Sequence, residues 1–242
     1  MRAWAGSLVF AAGQTLVTVA FAFAALLTAP LPLIARYRFI TLWCRTVVAM
    51  ARLLCGIRAR VHRVAQGAQP SGPVIYLSRH ESAWETLAFS QLLPPHVNVV
   101  KRELLRIPFF GWGLALLAPI AIDRAAGRAA LRQMLEQGRA RVAQGFSVVI
   151  FPEGTRKAPG ERADFFIGGA WLACQLGVPV VPVAHNAGRC WGRGAMLKRP
   201  GTVDVVVGPT IDTSAGDAAA VNAQAKAWID ATCDQLDAAH RG

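Results

Sequence analysis

The stretch SRHESAWETLAF, residues 78 to 89, places His80 and Glu85 five residues apart between an apolar run and an amphipathic one. Five residues turn a helix by about 500°, which would leave the two side chains roughly 140° apart. They can meet only if His80 stays in the loop and Glu85 enters the helix. A histidine held by a carboxylate is a general base: its ordinary pKa lies near ~6.5, and the acid fixes the tautomer and stabilises the imidazolium. Ser82 to Glu85 also fits the S-x-x-E capping box, so a structural role for the glutamate stands beside the catalytic one.

Three further stretches carry chemistry. KRELLRIPFFGWG, residues 101 to 113, sets the cations Lys101 and Arg102 before an apolar turn fixed by Pro108 and Gly111. FPEGTR, residues 151 to 156, follows a strand-like run and delivers Glu153, Gly154, Thr155 and Arg156. Gly154 admits close backbone approach, Thr155 can donate a hydrogen bond, and Arg156 offers a planar fork to phosphate oxygens. If this turn is a phosphate site, as the resemblance given below implies, its acid should orient a cation, so Glu153 is expected to hold Arg156 or one of the Lys101–Arg102 pair. VPVVPVAHNAG, residues 178 to 188, is a strand interrupted by prolines. Arg124 is a further cation that could complete a phosphate cradle or simply be solvated.

In this order the four motifs resemble the glycerolipid acyltransferase family, most nearly the bacterial members that acylate 1-acyl-glycerol-3-phosphate. The resemblance runs from about residue 70 to 190. It implies that His80 is the base acting on a lysophospholipid hydroxyl, that Glu85 takes the place of the family's usual aspartate, and that FPEGTR belongs to the substrate-phosphate site. It also implies transfer from an acyl-carrier-protein or coenzyme A thioester to lysophosphatidic acid, giving phosphatidic acid, with no cofactor besides that thioester. Phe166 falls where relatives often carry lysine. The same motifs would serve another acceptor, such as a lyso-ornithine lipid. A rival of a different class is a noncatalytic basic membrane-binding protein.

The elements that position these residues can be read from composition. Lys and Arg number 26 against 14 acidic residues, a net charge of +12, and the first acid in the chain is Glu81. Such a surplus implies an anionic partner. Residues 3 to 35 carry no charge, enough to span or re-enter a bilayer, and Arg36, Arg38, Arg45, Arg52, Arg58, Arg60 and Arg63 follow without an acid. That flank predicts a cytoplasmic orientation and inner-leaflet lipids as partners, hence a bacterial inner-membrane location. Ala22 to Ala24 loosely resembles a signal cleavage site, but the apolar run continues beyond it. Arg38, Arg45 and Arg52 recur every seven residues on one stripe of the next helix, which could lie in the headgroup layer or be a core helix with one wet stripe. Pro30 and Pro32 separate the two helices.

From residue 57 onward strand-length runs at 74 to 78, 97 to 100, 147 to 151, 178 to 184 and 203 to 207 alternate with helical patterns at 83 to 92, 127 to 143, 168 to 176 and 217 to 238. This predicts an α/β fold with a mixed or largely parallel sheet flanked by helices. The division expected is 1–56 for the membrane-anchoring helices and 57–242 for the catalytic domain. Five cysteines without a CxxC pair, and five dispersed histidines without HExxH, predict neither a disulfide framework nor a metal site. No GxSxG, Walker or nucleic-acid motif is present, so neither a serine lipase nor a nucleic-acid partner is expected.

Overall fold

The computed structural model describes residues 2–64, 70–123 and 126–239. Arg124 and His240 fall outside the described residues. The chain opens with α1 (Arg2–Leu26) and α2 (Leu33–Cys55), joined by the turn containing Pro30 and Pro32. There follow β1 (Ile57–Arg63), β2 (Ile75–Ser78), α3 (Trp84–Leu92), β3 (His96–Lys101), α4 (Phe110–Leu116), β4 (Ile120–Ile122), α5 (Arg128–Ala143), β5 (Ser147–Ile150), α6 (Gly168–Leu176), β6 (Val180–His185), β7 (Gly201–Val207) and α7 (Ala218–Ala239).

Seven strands form one mixed sheet in the order β1-β7-β6-β2-β5-β3-β4. β6, β2, β5, β3 and β4 run parallel, and β7 reverses against β6 with β1 parallel to it. Because side chains alternate along a strand, the sheet feeds two cores. Tyr76, Val149, Val181, Val183, Val203 and Val205 face α2 and α3. Ile75, Leu77, Val148, Ile150 and Val180 face α5, α6 and α7. Nearly every residue of β2, β5 and β6 is buried, as expected of central strands covered on both sides.

Two strands and one helix were not foreseen. β1 is an edge strand in which only Ile57 is buried, so its arginines read as a basic flank rather than as a strand. β4 has three residues, and α4 is a two-turn helix after a tight turn at Phe109.

The N-terminal helices form an antiparallel hairpin. A Cβ at Gly6 would stand 2.2 Å from the Leu54 carbonyl oxygen, and one at Gly13 would stand 2.4 Å from the Met50 methyl. Only glycine permits so close an approach. The outer face of α1 is apolar and open, with Leu8, Val9, Leu16 and Phe23 all exposed. Over Ala3–Leu26 the mean hydropathy reaches 1.9, enough in length and composition to cross a membrane. On α2, Arg38, Arg45 and Arg52 are all exposed, while Ile40, Cys44, Val47 and Ala51 are buried. Ile40, Cys44, Val47 and Ala51 of α2 therefore pack into the protein interior, and the arginine stripe lies on the exposed side of the helix.

Candidate active site

β2, β5, β3 and β6 end at the same side of the sheet, and each parallel strand delivers one motif there, as ligand sites in open α/β sheets require. β2 ends at Ser78 and releases Arg79 and His80 into a loop before α3 begins at Trp84. His80 stays in that loop while Glu85 sits in the first helical turn, and the five-residue gap closes to 2.8 Å between His80 Nδ1 and Glu85 Oε1.

Glu85 is fully buried. The same Oε1 accepts the backbone N–H groups of Glu81 at 3.1 Å and Ser82 at 2.9 Å. Ser82 Oγ in turn accepts the Trp84 N–H at 3.0 Å. One carboxylate thus accepts backbone N–H groups at the helix entry and also contacts the imidazole. Burial would raise the Glu85 carboxyl, but interaction with His185 and His80 and the hydrogen bonds from His80 and Ser82 hold it below the usual range. With Nδ1 donating to the carboxylate, Nε2 of His80 is the nitrogen left to take a proton. The ring also stacks on Phe151, centroids 4.1 Å apart and planes 20° apart, so it is held from its face as well as its edge. The His80 side chain retains 15% exposure, enough to meet a substrate.

β5 leads into Phe151 and the Pro152–Arg156 turn, where Gly154 adopts φ +71°. Glu153 does not hold Arg156 or the Lys101–Arg102 pair. Its partner is Arg79, whose Nη1 lies 3.2 Å from Glu153 Oε1 with both side chains fully buried. The reason is topological: β2 and β5 are neighbours, so the residues just past their ends face one another. Burial pushes the Glu153 carboxyl up to about 7, against the pull of the Arg79 charge. Arg156 keeps a buried Nε without a protein partner, and its carbonyl accepts from Arg193 at 3.3 Å. Thr155 is exposed beside it. Phe166 donates its N–H to the Pro152 carbonyl at 2.9 Å, so its exposed ring stands at the same turn.

The cationic pair at the end of β3 divides. Arg102 turns away to Gln133 of α5, at 2.9 Å, whereas Lys101 is exposed at the strand end. The described contacts do not join either to His80. Past them, Phe109 and Phe110 help line an apolar cleft with Phe21, Trp43 and Leu114, between α1, α2 and α4.

Arg79, Phe151 and Arg193 were not singled out from the sequence. For Arg79 a signal was available, since an arginine that directly continues the apolar run VIYLS is placed where burial is expected.

Comparison with known proteins matches this arrangement. The model of the family described as Acyltransferase covers residues 58–186, which include His80, Glu85 and the FPEGTR turn. The 1-acyl-sn-glycerol-3-phosphate acyltransferase of Pseudomonas aeruginosa is 43% identical over 210 residues, 85% of this chain and 81% of that protein. The alpha form from Ovis aries is 36% identical over 144 residues, 59% of this chain and 50% of that protein. The crystal structure of the 1-acyl-sn-glycerophosphate (LPA) acyltransferase PlsC from Thermotoga maritima has the same fold, with a TM-score of 0.77 at 20% identity over 96% of this chain and 95% of that one. Strand-end motifs, family model and the Pseudomonas relative agree, and this chain belongs to the acyltransferase family.

Proposed function

We propose that this protein transfers an acyl chain from an acyl-carrier-protein or coenzyme A thioester to the sn-2 hydroxyl of 1-acyl-glycerol-3-phosphate, forming phosphatidic acid. The observation that carries this reading is the 2.8 Å contact between His80 Nδ1 and the fully buried Glu85, which leaves Nε2 as a base at the sheet's carboxyl end. The Pseudomonas relative, named for that acceptor and 43% identical, supports the choice of substrate.

His80 Nε2 takes the proton of the acceptor hydroxyl as its oxygen attacks the thioester carbonyl. Glu85, held as the anion, stabilises the imidazolium that forms. The tetrahedral intermediate collapses with loss of the thiolate, which takes the proton back from His80, leaving an ester and a free thiol. No cofactor beyond the co-substrate is needed. Gly154, Thr155 and Arg156 receive the acceptor phosphate, with Lys101 as a further cation, and Glu153 supports that turn from within. The apolar cleft between α1, α2 and α4 suits an acyl chain. The open apolar face of α1, Ala3–Leu26, and the arginines of α2 support an inner-leaflet location with the sheet on the cytoplasmic side.

Purified protein in detergent, given lysophosphatidic acid and an acyl thioester, is expected to form phosphatidic acid, and His80→Ala to lose at least about 10³-fold in kcat. Full activity in His80→Ala would refute the mechanism. Lipid extracts from depleted cells test the acceptor: lysophosphatidic acid should accumulate, and loss of a different acylated lipid without that accumulation would refute it.

A further inference from the structure

Arg79 immediately precedes His80, yet its side chain is fully buried between two carboxylates, one from its own loop and one from the turn after β5. Its Nε lies 3.2 Å from Glu81 Oε1, and its Nη1 lies 3.2 Å from Glu153 Oε1. Nη2 donates to the carbonyls of Ala158, at 3.4 Å, and of Glu161. Glu81 Oε2 accepts the Gly188 N–H at 3.1 Å, where a Cβ on Gly188 would stand 2.9 Å from Glu81 Cβ. The backbone of Arg79 is also fixed: its N–H donates to Val183 at 3.1 Å, and its carbonyl accepts from His185 Nε2 at 2.8 Å. Lys157 N–H donates to the His80 carbonyl at 2.8 Å. The guanidinium therefore joins the loop bearing the base to the 151–161 segment bearing Arg156, and Glu81 carries the link on to the turn after β6.

A buried charge is costly to desolvate, and an isolated pair is weak support for a fold, because apolar groups of similar volume often serve as well. A fork that hydrogen-bonds one carboxylate and two carbonyls and lies 3.2 Å from a second carboxylate, across two segments, does something an apolar side chain cannot: it fixes their mutual placement. The reaction needs that placement. His80 must meet the acceptor hydroxyl while Arg156 holds the acceptor phosphate, and about 1 Å of misplacement can cost about 10²-fold in rate.

We propose that Arg79 is a positioning residue for acyl transfer, its guanidinium holding the loop of His80 in register with the phosphate-binding turn through Glu81 and Glu153. The proposal rests on the assignment of His80 and Arg156 made above.

The test is Arg79→Met combined with Glu81→Gln, in the full chain in detergent. Removing both charges leaves Glu153, which takes up a proton once the guanidinium is gone, so no unpaired charge remains buried. The expected result is a Tm close to wild type, kcat lower by about 30-fold, and a smaller additional loss on Arg156→Gln than in the wild-type background, since the two sites would no longer be coupled. Wild-type kcat, or strictly additive losses, would overturn the proposal, because a network that only stabilises the fold predicts one or the other. Should the double variant not fold, Arg79→Lys retains the charge but not the fork; about tenfold lower kcat at unchanged Tm is expected, and wild-type kcat would overturn the proposal. His80→Ala is the control. If it stays active the base assignment fails, whereas an inactive His80→Ala beside a fully active Arg79 variant removes only the role of Arg79.

Discussion

Two neighbouring strand-end turns each bury a glutamate, and the two acids behave oppositely. Glu85, after β2, collects the His80 ring N–H and two backbone N–H groups on one oxygen and is held below the ordinary carboxylate range in spite of its burial. Glu153, after β5, faces a guanidinium that it shares with Glu81, and burial wins, raising it to about 7. Burial alone does not decide the charge of a carboxyl; the number and exclusiveness of its donors decide whether burial prevails. The first turn is thereby suited to hold an anion beside the base at every working pH, and the second to change charge near neutrality.

The comparison breaks most visibly at Glu85→Gln. The amide oxygen can still accept the Glu81 and Ser82 N–H groups, so Tm should stay within about 3 °C, roughly the shift expected for a change below 1 kcal/mol. The charge that stabilises the imidazolium is lost, and kcat should fall about 10³-fold at every pH tested. A large Tm loss with normal kcat would make Glu85 a cap alone.

Glu153→Gln should differ from this in its pH dependence. By pH 6 the wild-type acid is mostly protonated, so variant and wild type should have nearly equal kcat/KM there; at pH 8.5 they should differ by about three- to tenfold. For stability the sign is fixed as well. A folded pKa raised above the unfolded value gives a contribution complete below about 4.5 and lost as pH rises through about 7. Thermal melts of Glu153→Gln should lack that loss; a ratio of activities independent of pH would refute the assignment.

The smallest effect is expected at Phe151→Leu, where one turn supports the other. The leucine keeps apolar contact but not the stacked face under His80, so kcat should fall about three- to tenfold with KM for lysophosphatidic acid unchanged, in line with about 0.5–1.5 kcal/mol for an aromatic pair. A rise in KM alone would show that the ring serves binding.

The sequence carried the His80–Glu85 pair because a five-residue gap has one sensible solution at a strand-to-helix junction, and the central strands because Ile75–Ser78 and Ser147–Ile150 are short, apolar and bounded. It could not carry the partner of Glu153, which depends on β2 and β5 being neighbours although their ends, Ser78 and Ile150, are 72 positions apart in the chain, with Leu77 paired to Ile150. Lateral order within a sheet leaves no trace in the spacing along a chain. The edge strand Ile57–Arg63 was hidden for a related reason: with one side unpaired it needs no apolar alternation. For α2 the periodicity of its arginines was legible, but not whether its opposite face meets lipid or protein.

The anchoring of α1 bears on how this protein can be handled. Phe10 is fully buried and packs edge-on against Trp191 at 5.0 Å, Lys198 lies over both rings, and Ser7 Oγ accepts the Lys198 N–H at 2.9 Å. Trimming the apolar N-terminus to obtain a detergent-free catalytic fragment would therefore leave a greasy socket at Trp191 and a lysine stripped of its aromatic cover. Solubility is better sought by replacing the outward leucines of α1, such as Leu8 and Leu16, and leaving the helix in place.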